Sequence, residues 1–462
     1  MQKKEFMALS EKVVEFKPKG KKHKRKKGNS GVAVFIIIIF IAIFGIGIYL
    51  YINNGGSGVK GLEQQKVLSE INYESSSMAD FYTYDRNIYF CTKESMTLMD
   101  KMGQQAWKDS YSMLDPIMVY DGSVVAIADE LGTNLRVYNS NGILYNVETE
   151  CPISTFAVNE NGYCGIIMKD ENSYILNLYS ETGALKCTGN YPAEKGIPVA
   201  LEISNDNKIY AVSFLNTNEI KVSSNVVFYY IEDADIKTSE EGESMFASFV
   251  EENSVVAVME FMEDNSLIAV SDNSITCAKV NTVNVKYEQK WRVELNNQLK
   301  SVAFLGNKYL VTANAQPIIN SAQKENENLV KWYDLNGQVT GTYENGKNIT
   351  NIYASENGTV IACDRSFVGV NSTGKELWSY TSVREITRAL LFDDSGSVMM
   401  VSPGQMRIIN MSKGDNIDES YPVREDKTKP ESEQTTDITA EQTTETATQS
   451  EKATEATTKN EE

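Results

Sequence analysis

From about residue 80 to residue 410, short apolar runs alternate with turns built from Asn, Asp and Gly, the pattern of antiparallel hairpins. Eight such hairpins follow one another. "FYTYDRNIYFCT" is predicted to turn at Asn87, "IMVYDGSVVAIA" at Gly122, "TFAVNENGYCGIIM" at Gly162 and "ALEISNDNKIYAVSF" at Asn207. "AVMEFMEDNSLIAVS", "SVAFLGNKYLVTA", "NIYASENGTVIACD" and "ALLFDDSGSVMMVS" turn at Asn265, Asn307, Gly358 and Gly396. Gly and Asn are the residues that accept positive φ. Successive turns lie about 35 to 58 residues apart.

Most of these hairpins are followed by a second, weaker one, with turn glycines at Gly103, Gly142, Gly183, Gly337 and Gly374. Each unit therefore reads as four strands, a to d, the signature of a β-propeller blade. The eighth unit stops after strand c, "MRIINMS", while "QQKVLSEINYES" (64–75) is a strand-like segment ahead of the first unit. If it supplies the missing strand d, the ring closes without a free sheet edge. The fold class predicted is all-β: eight four-stranded blades closed by an N-terminal strand. Irregular fourth and fifth units leave seven blades as the other count.

Ahead of the repeats, "GVAVFIIIIFIAIFGIGIYLYI" (31–52) is an uncharged apolar run. At ~1.5 Å per residue it spans the ~30 Å hydrocarbon core. It exceeds the apolar region of a cleaved signal peptide and lacks a clear cleavage site, so it reads as an uncleaved transmembrane helix. The cluster Lys21, Lys22, Lys24, Arg25, Lys26 and Lys27 just before it should remain cytoplasmic, against the anionic inner leaflet. The organisation expected is a basic arm (1–30), the anchor (31–52), a flexible linker containing "GGSG" (53–63), an extracytoplasmic propeller (64–415) and a disordered Thr/Glu-rich tail (416–462).

In "MGQQAW" and "TGKELW", Trp107 and Trp378 stand four residues after the turn glycine. This resembles the "TGKxxW" element of quinoprotein-dehydrogenase-like (PQQ-like) propellers, an eight-bladed family that includes non-enzymatic envelope-assembly proteins. Cys187, Asn146 and Gly341 occupy the matching place in the other Gly-marked hairpins. The overall plan resembles a domain-of-unknown-function family of single-pass, membrane-anchored propeller proteins of Gram-positive bacteria. The quinone enzymes close over their cofactor with adjacent cysteines, and this chain has no adjacent pair, so no cofactor is expected.

The net charge is −19 although the N-terminal arm is strongly basic, so the body is acidic and poorly suited to nucleic acid. The single histidine, His23, lies in that arm. The body thus has no imidazole for Ser-His-Asp or Cys-His catalysis or for His-ligated zinc. Asp85, Asp121, Glu160, Asp206, Asp264, Glu356 and Asp394 recur in the a–b turns, where Asp and Asn cap the backbone. "DDSG" and "NDNK" lack the spaced ligand series of a calcium loop. The cysteines show no paired spacing, and Cys91, Cys164 and Cys363 read as buried apolar residues.

Trp107, Trp291 and Trp378 read as packing between blades. Insertions occupy 232–244, in a c–d connection, and 314–328, in the b–c connection of blade six. In the latter, Pro317, Ile318 and Ile319 are the candidate partner-binding residues. The function expected is a non-catalytic binding or scaffolding module, held in the cell membrane and facing an envelope protein or polymer. The alternative is an envelope glycan hydrolase or lyase using two carboxylates.

Overall fold

The computed structural model describes residues 59–74, 79–218, 221–231, 245–281, 286–317, 328–344, 346–355, 358–392 and 396–422. The expected anchor, the basic cluster, Ile318, Ile319 and the insertion at 232–244 lie outside these residues. So do Glu356, Asp394 and the tail beyond 422. Among the described residues no helix is long and apolar enough to cross a membrane.

The strands form eight separate antiparallel sheets, each in the order a-b-c-d, as the repeat predicts. Blades one to seven take consecutive strands, from Ala79–Tyr84 in blade one to Glu376–Thr381 in blade seven. Blade eight has Arg388–Leu391, Ser397–Ser402 and Gln405–Asn410 as strands a to c. Its strand d is Val67–Asn72, from the chain's beginning, antiparallel to Gln405–Asn410. Tyr73 donates from its hydroxyl to the Ser402 carbonyl at 2.8 Å. Ser69 Oγ reaches the Lys101 carbonyl of blade one at 2.6 Å, so the closing strand also joins first blade to last.

Positive φ identifies the residues that make the turns. Gly122, Asn207, Asn265 and Gly396 carry it as expected, as do the five c–d glycines. Two positions differ from the prediction. In blade one the tight turn is Asp85-Arg86, at φ 45° and 67°, and Asn87 already begins strand b. In blade six Gly306 takes the φ of 53°, while Asn307 is at −82°. In both cases a neighbour absorbed the left-handed conformation, and a hairpin's length does not specify which loop residue will.

The core is a chain of apolar seams between blades. Trp107 stacks on Tyr138 of blade two, centroids 5.5 Å apart, and donates to the Ser140 carbonyl at 3.1 Å. Trp291 donates to the Leu335 carbonyl of blade six at 2.8 Å and lies under Gly337. A Cβ on Gly337 would come within 2.6 Å of that indole; on Gly369 it would come within 2.2 Å of the buried Trp378 ring. The d-strand tryptophans are therefore structural, as predicted. Charge is tolerated between blades only when matched: Glu251 of blade four is buried and takes Arg292, Thr276 and Ser274 of blade five. All six cysteines are free, with Cys91, Cys164, Cys277 and Cys363 buried; burial pushes the Cys91 thiol up to about 11.

One element was not legible in the sequence. After blade eight the chain turns back, and Asn416–Asp418 pairs in parallel with strand d of blade seven. Lys60 forms a parallel bridge to Ile417 on the far side. The ordered disc thus reaches into both the expected linker and the expected tail, and its two chain ends lie side by side.

Candidate functional site

The inner strands surround a central channel holding a cavity of about 530 Å³. Its wall is polar in an unusual way. Apolar residues fill the strands behind, but Asp80, Asp121, Glu202 and Glu260 stand on inner strands of blades one, two, four and five. Tyr82 and Tyr120, from blades one and two, stack across the wall with centroids 3.7 Å apart and rings 14° from parallel. Tyr82 is held by its hydroxyl on the Gly122 carbonyl at 2.8 Å. Tyr120 remains 47% exposed, to the channel.

Asp80 is neutralised by Arg388 of blade eight, whose guanidinium also donates to the Phe81 carbonyl at 2.8 Å. Asp121 accepts the Glu160 backbone N–H at 2.9 Å, but its carboxyl is pushed up to about 6 by burial, which outweighs that bond; the nearby Glu160 charge adds to it. Burial pushes Glu260 up to about 8, aided by the Asp121 charge. Glu202 is raised well above the usual carboxylate range by burial and by the charges of Glu260 and Asp121. Glu260 lines the cavity and Glu202 lies behind it, and neither has a hydrogen-bond or ion-pair partner among the described residues.

These raised groups bear on stability. Glu260 has its folded value above its unfolded value near 4.5, so the native state holds the proton more tightly than the unfolded chain. Its contribution is fully present below about pH 4.5 and is lost as pH rises through about 8. Glu260→Gln should therefore melt higher than wild type at pH 8.5 and close to it at pH 5. Thermal melts at the two pH values check this; a variant that melts lower at pH 8.5 would mean Glu260 is satisfied by a partner.

The turn carboxylates divide into two kinds. Asp206 accepts from Ser204 at 2.7 Å and from the Lys208 N–H at 3.2 Å; Asp264 accepts from the Ser266 N–H at 3.1 Å and pairs with Lys290 at 2.6 Å. Both serve their turns, as predicted. Asp121, read as one more turn residue, also lines the channel. Glu202 and Glu260 escaped the sequence reading, although "ALEIS" and "VMEFM" each set a lone acid in an apolar inner strand.

Pro317 ends strand b of blade six, Tyr309–Pro317, opposite Asn297, so this strand runs four residues into the predicted insertion. The loop face also shows two exposed leucines on blade two. Leu114 is 81% exposed and Leu131 68%, the latter at φ 55°. Both are set by Asp129, which accepts the Leu114 N–H at 3.0 Å through its side chain and the Gly132 N–H at 2.9 Å through its carbonyl.

A closed eight-bladed propeller with a ligand-sized channel defines the class of protein. Within that class the chain belongs to a family of unknown function, DUF5711, whose model matches residues 59–411. No curated protein matches it in sequence. Among solved structures it is similar to Sqt1 of Saccharomyces cerevisiae at 10% identity and TM-score 0.50, covering 77% of this chain and 100% of that one. Sqt1 of Chaetomium thermophilum gives 9%, 0.50, 75% and 99%, and BamB of Moraxella catarrhalis 11%, 0.44, 75% and 97%. At these identities the likeness is one of fold.

Proposed function

We propose that this protein is a non-catalytic binding or scaffolding module, tethered to the cell membrane by residues 31–52 and presenting its propeller to an envelope protein or polymer. The observation that carries the reading is the closed ring with Lys60 and Ile417 paired at one edge. Whatever precedes and follows the disc attaches at that single edge, which leaves its loop faces free for a partner. The apolar run 31–52 and the basic cluster before it supply the tether and its orientation.

Glycan hydrolysis is the weaker reading. It needs one carboxyl held protonated and another left ionised across the sugar bond, environments that push two acids apart. Here Asp121, Glu202 and Glu260 are all raised together.

The test is a photo-crosslinking residue at Leu131 of the full chain in intact cells, combined with external protease. A discrete envelope partner should be captured, and protease should remove the propeller while sparing an N-terminal tag. Capture of self-contacts alone, or a propeller protected in intact cells, would overturn the proposal.

A further inference from the structure

The channel acids pose a problem of charge. Asp80 is matched by Arg388, but Asp121, Glu202 and Glu260 gather from three blades with no cation paired to them among the described residues. Carboxylates enclosed in this way are costly unless something pairs with them. The cavity lined by Asp121 and Glu260, about 530 Å³, is the size of a small-molecule site rather than a single-ion site. Among the described residues no three Asp, Glu, His or Cys side chains converge as metal ligands do. The acids are instead spaced round a wall that includes the stacked Tyr82–Tyr120 pair, whose faces suit methylene groups and an organic cation.

We propose that the central channel binds a primary alkylammonium group, with Glu260 accepting from its N–H, Asp121 and Glu202 adding negative charge around it, and Tyr82 and Tyr120 packing along its carbon chain. Such a group reaches the channel in two forms, a free polyamine or a lysine side chain of a partner. The proposal goes beyond the tethering function and does not depend on it, since it concerns the inside of the ring alone.

Binding should be linked to protons. Glu260 interacts with Glu202 from blade four and with Asp121 and Tyr120 from blade two, and Tyr120 in turn feels Arg388 from blade eight and Asp80 from blade one. Arg388 is engaged by Asp80 and the Phe81 carbonyl, so it opposes a second cation only in part. A bound ammonium favours the ionised acids, so binding releases protons and tightens as pH rises toward the Glu260 value of about 8.

The experiment is calorimetry on the full-length chain in mild detergent. The probes are spermidine, Nα-acetyl-lysine methylamide, neutral 1,8-octanediol and calcium chloride. An amine should bind at least tenfold more tightly than the diol and release protons. Affinity should be several-fold higher at pH 8.5 than at pH 6.5, and Glu202→Gln with Glu260→Gln together should weaken it at least tenfold. Preference for spermidine identifies a free polyamine, and preference for the lysine amide identifies a partner's side chain. Gln keeps the shape and removes like-charge repulsion, so the double variant should fold; its melting curve confirms that. Failure of both amines to bind, equal binding by the double variant, or calcium binding that this variant abolishes would overturn the proposal.

Discussion

A chain beginning at Met78 is expected to aggregate, or to melt about 5 °C or more below one beginning at Val59. The strand removed, Val67–Asn72, is the fourth strand of blade eight, paired from Val67 opposite Ile409 to Asn72 opposite Gln405. Its loss leaves the N–H and C=O groups of Gln405–Asn410 unpaired on one side, next to Met406, Ile408 and Ile409, all fully buried in the intact ring. Leu68, Ile71 and Tyr73 go with it, and they pack on the cluster that joins blades eight and one. Removing three partly buried apolar side chains costs about 5 kcal/mol, and each kcal/mol lowers Tm by about 2–4 °C in a domain of about 150–250 residues, less in a larger one. The Lys66–Asp415 ion pair is lost as well. Size-exclusion chromatography and thermal melts of the two chains decide the matter. Coincident melting curves would show that the ring is held by its inter-blade seams alone.

The closing strand could be read from the sequence because a missing strand at one end and an unpartnered strand at the other are both visible in a repeat. Blade number was legible for the same reason: hairpin turns recur, and Gly or Asn marks almost every one. What escaped was decided by contacts between units. Asn416–Asp418 is three residues long, follows "SKGD" and precedes a polar tail, so no periodicity separates it from that tail. It is a strand because Tyr380 and its neighbours present an open edge there. Glu202 and Glu260 were visible as residues but not as a pair, since nothing local indicates that the inner strands of successive blades bring their penultimate residues to one channel. Asp121 looked like every other turn acid, and only its position beside Glu160 and the channel distinguishes it.

The C-terminal clasp should be the second large determinant of stability. Arg407 of blade eight and Glu419, just past Asn416–Asp418, form an ion pair at 2.6 Å with side chains only 6% and 7% exposed. Glu419 also accepts from Tyr380 Oη at 2.6 Å, Ser382 Oγ at 3.1 Å and the Val383 N–H at 2.8 Å. Arg407→Met removes the cation and leaves that carboxylate enclosed, a loss of about 3–5 kcal/mol for a broken buried pair. Adding Glu419→Gln should recover part of it, because the amide oxygen can keep an acceptor role without a buried charge. Burial works against ionisation of Glu419, but the hydrogen bonds from Tyr380, Arg407 and Val383 and the Arg407 charge outweigh it, holding the carboxyl below its usual value of 4.5. The unfolded chain therefore binds the proton more tightly than the native one. The stabilisation is complete above about pH 4.5 and is lost as pH falls through the depressed folded value. Urea titrations at pH 7 and at pH 3.5 test both parts. Arg407→Met should lower the midpoint sharply at pH 7, the double variant should lie above it, and wild type should lose more on acidification than Glu419→Gln. A single variant within 1 kcal/mol of wild type, about the contribution of an ordinary hydrogen bond, would mean that the parallel strand docks without its ion pair.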